Sequence, residues 1–175
     1  MGKPVIIVRP ILMLTVLLFS TACLAEDEDD KDKPFVSARV LTTGLATEIA
    51  SKAEEFCRKK GYQVSAAVVD RYGNLLAFAR DPLSGTHTIL VSQYKAYTAA
   101  SLQSDTISIQ GRVNFLNGMP NIAVLGGGIP VRVAGYMYGA VGVSGAPSEK
   151  VPGEIDDECA RAGIDAVKDV LEFDG

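Results

Sequence analysis

Hydrophobic and polar positions change period along the chain, and each change marks an element. Between residues 43 and 60 the apolar side chains Leu45, Ile49, Ala53 and Phe56 recur at helical spacing. Thr42 or Thr43 can cap the start and Gly61 fits the stop, so this stretch predicts a helix. Residues 63–69 are β-branched and small, Asp70-Arg71-Tyr72-Gly73-Asn74 carries turn chemistry, and residues 75–80 resume an apolar run. Together they predict a β-hairpin. A loop at 81–85 precedes a second predicted helix over 87–102, with Ile89, Val91, Ala96 and Ala99 among its apolar positions, and Ser104-Asp105-Thr106 can cap a short third helix. Residues 114–121 contain Gly118 and Pro120 and predict an exposed irregular loop, a suitable place for a site. After Gly126-Gly127-Gly128, residues 129–134 and 136–144 predict two further strands about Gly135, and residues 154–173 predict one closing amphipathic helix. Strands that arrive as hairpins make a largely antiparallel sheet, here of about five strands, with helices on its faces: an α+β fold.

The N-terminus breaks this pattern. Lys3 and Arg9 precede an apolar run over 11–19 and the small residues Ser20, Thr21 and Ala22, the order of a secretory signal. The run is shorter than the roughly 20 residues of a membrane span, so residues 1–25 are expected to be removed after Ala25. Cys23 offers a competing outcome, a lipid-modified first residue, with Ser20 standing where such sites usually carry Leu. Export places the chain in the periplasm of a Gram-negative source and outside the cell otherwise. Residues 26–40 begin with Glu26-Asp27-Glu28-Asp29-Asp30-Lys31-Asp32, a like-charge block expected to be a solvated tail.

Losing Lys3 and Arg9 takes the net charge from −4 to −6, and a pI near 5.0 argues against a nucleic-acid partner. Cys57 and Cys159, on two predicted helices, either pair in an oxidising compartment or remain buried thiols. Neither has a CxxC neighbour, which excludes the usual zinc and thioredoxin motifs. Gly126-Gly127-Gly128-Ile129-Pro130 lacks both GK[ST] and a following helix start, so a strand connection is preferred to a phosphate loop. Gly142-Val143-Ser144-Gly145 misses the GxSxG spacing of a nucleophile elbow. His87 is the only histidine and reads either as a helix-start residue or as an axial ligand. Arg80 ends a strand and Lys95 sits among apolar helix positions, so the two could face one pocket and pair with a carboxylate; surface positions are the alternative. Tyr94 and Met119 read as core or pocket residues.

Val64-Ser65-Ala66-Ala67-Val68-Val69-Asp70 followed by Gly73-Asn74-Leu75-Leu76-Ala77-Phe78-Ala79-Arg80, then Lys95-Ala96-Tyr97-Thr98-Ala99 and Gly126-Gly127-Gly128-Ile129-Pro130, resembles the GlcG/HbpS family of haem-binding proteins. Gly139-Ala140-Val141-Gly142-Val143-Ser144-Gly145-Ala146 and Asp156-Asp157-Glu158-Cys159-Ala160 extend the resemblance, which spans residues 41–173. It implies a profilin-like α/β/α sandwich with a five-stranded antiparallel sheet. It also implies a homo-oligomer, octamers being known among relatives, and a haem cofactor that is sequestered, degraded or, in one lineage, used in signalling to a sensor kinase. The same domain forms the C-terminal half of PduO-type adenosyltransferases, whose transferase chemistry belongs to a domain absent from the residues read here. On this resemblance His87 is the expected axial ligand, Arg80 or Lys95 meets a propionate, and Met119 or a tyrosine such as Tyr94 supplies a second ligand. Two other readings remain open: an enzyme or accessory protein binding small hydroxy- or oxo-acids, and a signalling or structural partner of another exported or membrane protein.

Overall fold

The computed structural model describes residues 34–116 and 118–174, together with Gly2. The signal segment over 1–25 and the acidic block Glu26 to Asp32 lie outside the described residues, apart from Gly2. The chain divides into a unit ending at Ser37, of which residues 34–37 are exposed, and a domain beginning at Ala38.

The domain runs α1 (Thr43–Lys59), β1 (Ser65–Asp70), β2 (Leu75–Arg80), α2 (Thr88–Leu102), α3 (Thr106–Ile109), a 3-10 turn (Asn114–Leu116), β3 (Gly128–Val133), β4 (Tyr136–Ser144), α4 (Glu154–Asp165) and α5 (Lys168–Asp174). The Thr42 hydroxyl accepts from the Leu45 N–H and starts α1, and Gly61 follows its end at φ +87°. The β1–β2 hairpin closes on Asp70, whose carboxylate accepts from the Tyr72 and Asn74 N–H groups at 2.8 and 2.9 Å.

All pairings in the sheet are antiparallel and its order is β2-β1-β4-β3. It has four strands where five were expected. The extended residues 38–42 form no ladder among the described residues; the Arg39 N–H instead donates to the Tyr136 hydroxyl at 3.2 Å. Strand alternation divides the apolar side chains between two faces. Ala66, Val68, Val141 and Val143 pack with Ile49, Ala53 and Ala160 of α1 and α4, whereas Val69 and Ala140 pack with Ala96, Ala99 and Ala100 of α2. Helices therefore cover both faces, giving three layers. Gly142 lets α2 lie close to the sheet, since a Cβ there would stand 2.1 Å from the Ser92 carbonyl oxygen.

The single closing helix is in fact two. At 164–167 the turn tightens, the Val167 N–H bonding the Ile164 carbonyl three residues back, while Val167 and Leu171 keep the same buried side. Cys57 of α1 and Cys159 of α4 form a disulfide with Cα atoms 5.5 Å apart, both side chains fully buried.

A candidate ligand cleft above a buried ion pair

Three residues spaced four apart along one side of α2, at His87, Val91 and Lys95, line a cleft of about 290 Å³. The opposite wall is the chain from Ser144 to Ala146 at the end of β4, and Pro152, Gly153 and Asp156 where α4 begins. Lys95 and Asp156 meet at its floor. Lys95 Nζ donates to Asp156 Oδ2 at 2.7 Å and to the Val143 carbonyl at 2.9 Å, and Asp156 Oδ1 accepts from the Ala146 N–H at 2.9 Å. The pair thus joins α2, the end of β4 and α4. A larger hollow of about 450 Å³, walled chiefly by Leu41, Leu45, Tyr138 and Leu171, lies elsewhere. We centre the site on the smaller cleft because the buried titratable groups and the histidine converge there.

Both members of the pair are almost fully buried, at 2% and 4% exposure. Burial pushes the Lys95 ammonium below its ordinary range against the pull of Asp156, and pushes the Asp156 carboxyl up against the pull of Lys95. Burial likewise raises Asp157, which Arg161 partly offsets through a bond of 2.9 Å; Arg161 also reaches Asp105 at 2.7 Å. The Gly126 to Gly128 run packs against this charge cluster. Gly127 lies at φ +108°, where a Cβ would stand 2.7 Å from Asp156 Cβ and 3.2 Å from Lys95 Nζ. Glu154 organises the rim by accepting from the N–H groups of Glu149, Lys150 and Val151, bonds that hold its carboxyl below the usual range.

His87 occupies the position before the first turn of α2, is exposed, and makes no capping hydrogen bond. The loop that presents it is fixed by the Asp81 carboxylate accepting from the Leu83 N–H at 2.8 Å and by a chain of hydroxyls, Ser84 to Thr88 at 2.7 Å and Thr88 to Ser65 at 2.8 Å. Gly85 leaves room beneath the imidazole: a Cβ there would stand 2.7 Å from His87 Cε1.

Of the five residues expected at the site, His87 and Lys95 line the cleft, and Arg80, Tyr94 and Met119 are not among its walls. Arg80 donates to the Ser84 carbonyl and so shapes the loop that carries His87. Tyr94 is half-buried on α2, and Met119 is 52% exposed in the loop after the 3-10 turn. Sequence reasoning missed the role of Asp156. Its signal was a lysine inside an otherwise apolar helix, which needs an acid, and an Asp-Asp pair opening another helix. Among the described residues no three His, Cys, Asp or Glu side chains gather to hold a bare metal ion.

Fold and cleft together define a class: a three-layer α+β domain with an antiparallel sheet and a ligand-sized cleft beside one of its outer helices. Residues 41–165 match the family described as haem degrading protein HbpS-like, and the chain belongs to that family. It is 36% identical over 110 residues to Protein GlcG of Escherichia coli, spanning 60% of this chain and 81% of GlcG. A crystal structure of a double mutant of Streptomyces reticuli HbpS superposes with a TM-score of 0.70 at 34% identity, covering 76% of this chain and 90% of that one. The crystal structure of a PduOC:heme complex superposes with a TM-score of 0.62 over 73% of this chain and 94% of that one; at 23% identity this is a likeness of fold.

Proposed function

We propose that this is an exported haem-binding protein that holds haem at the His87 cleft, with the His87 imidazole as its ligand to iron. One observation carries the reading: in a chain of the HbpS-like family, the single histidine stands exposed at the mouth of a cleft and its side chain makes no capping hydrogen bond. An exposed imidazole fits an axial donor, which needs an accessible ring nitrogen. Bound haem would supply the iron redox chemistry on which sequestration, sensing or degradation would draw. The protein's own part is to fix the helix start that carries His87, through Asp81, Ser84 and Thr88, and to hold the facing wall through Asp156 and Glu154. Titrating the purified protein with hemin tests this, with a saturable Soret band expected and only weak, non-saturating absorbance contradicting it.

Joint carboxylate binding by Arg80 and Lys95 is disfavoured, since Lys95 lines the cleft and Arg80 is not among its walls. Export is supported by the signal pattern over 1–25 and by the Cys57–Cys159 disulfide, and is checked by fractionating cells and sequencing the mature N-terminus. Assembly with further copies of the chain is supported by the sheet edges β2 and β3, which pair with no further strand among the described residues, with Leu75 and Phe78 of β2 exposed.

A further inference from the structure

The ion pair under the cleft has no part in ligating iron, and its chemistry goes beyond haem binding. Lys95 lies two helical turns, about 12 Å, along α2 from His87, so the two groups occupy different ends of the cleft. Two of the three ammonium protons are directed, to Asp156 at 2.7 Å and to the Val143 carbonyl at 2.9 Å. Gly127 keeps side-chain bulk away from Nζ. Burial disfavours the charge on both partners, lowering Lys95 and raising Asp156, which moves the pair toward a free amine facing a carboxylic acid. An amine whose neutral form desolvation favours, with an acid at hydrogen-bond distance and at the floor of a cleft, is the arrangement in which lysines condense with carbonyl compounds.

We propose that Lys95 is a carbonyl-condensing residue, its Nζ forming an imine with small aldehydes or 2-oxo acids that enter the cleft and Asp156 serving as the proton donor. The reacting form is amine and carboxylic acid, reached when the Lys95 proton passes across the 2.7 Å bond to Asp156. The Nζ lone pair adds to the carbonyl carbon, and proton transfer from nitrogen to oxygen gives a carbinolamine. Asp156 then protonates the hydroxyl, which leaves as water while nitrogen forms the C=N bond. The products are a protonated imine, an Asp156 carboxylate and one water, with no oxidant or reductant used. The cation that Asp156 faces is thereby restored on the imine nitrogen. The Lys95 end of the cleft takes a carbonyl compound of a few carbons, and Ser144 stands in the wall to hydrogen-bond it.

The test is reductive trapping on hemin-free protein at neutral pH, with pyruvate or acetaldehyde and sodium borohydride, followed by peptide mass mapping. The expected result is a reduced adduct on Lys95 about tenfold or more above that on the exposed Lys59 and Lys150. The preference should vanish when the chain is unfolded in urea, and Lys95→Met should leave only surface background. Equal or lower labelling of Lys95 in the folded wild type overturns the proposal, and that map decides even if Lys95→Met does not fold. Labelling by pyruvate alone assigns oxo-acids, and by acetaldehyde alone, aldehydes. No hemin is present, so the outcome is independent of the haem reading.

Discussion

Lys95 carries a charge into a buried helix face that is otherwise small, made of Ser92, Ala96 and Ala99, and Asp156 is what makes this tolerable. The signs of the two shifts show how the balance runs. The folded-state value of Asp156 lies above its unfolded one, so its favourable contribution is present below the unfolded pKa and lost as pH rises through the folded value. Lys95 is the mirror case, its contribution present above the unfolded pKa and lost as pH falls through the folded value. At neutral pH burial of each charged group opposes folding, and their mutual attraction offsets part of that. Asp156→Ala should therefore cost about 3–5 kcal/mol in denaturant unfolding at pH 7, whereas Lys95→Met with Asp156→Leu should be neutral or stabilising. Equal losses in the single and double variants would contradict this balance. Lys95 was legible in the sequence as an internal cation, but its partner was not, because 61 residues separate them and only the fold brings α2 and α4 together. The bond from Arg80 was hidden for a related reason: a cation at a strand end looks available until the Ser84 carbonyl in the next loop is seen to accept from it.

Among the elements, the hairpin and α1 were legible because turn and cap chemistry is local, and α2 because of its run of apolar positions. Asp70 shows the physics. Partial burial raises its carboxyl, but bonds from the Asn74 side chain and from the Asn74, Tyr72 and Gly73 backbone outweigh burial and hold it below the ordinary range. Its contribution is therefore full above the unfolded pKa and lost as pH falls through the folded value. Asp70→Ala should cost about 1 kcal/mol near neutrality, with the gap from wild type closing in acid below pH ~4, as read from unfolding curves at a series of pH values. Less legible were the break between α4 and α5, where Val167 and Leu171 keep the apolar period across the tightened turn, and the strand count, since the sequence marks four strand runs, at 63–69, 75–80, 129–134 and 136–144, and the expected fifth had no run of its own. The sequence left open whether Cys57 and Cys159 pair. Their disulfide closes a separation of 102 residues between α1 and α4, and replacing both with Ala should cost about 2–5 kcal/mol, measured against the oxidised wild type.

For the whole molecule, the three layers follow from a β1 and a β4 buried on both faces, which demand helices on each side. That arrangement puts the start of α2 at the sheet end where β4 leaves for α4, and the cleft is the gap between them. Its ceiling is His87 and its floor is the Lys95–Asp156 pair, so ligand binding and domain stability share one set of contacts. Removing the imidazole should leave the fold intact, because His87 is exposed and caps nothing. The most direct test of the haem reading is therefore a hemin titration of His87→Ala beside the wild type, with thermal unfolding run on both. Expected are matched unfolding temperatures, a displaced or lost Soret band in the variant, and an affinity weaker by about tenfold or more, roughly 1.4 kcal/mol. The same Soret band and the same affinity in the two proteins would remove His87 from the site and contradict the account.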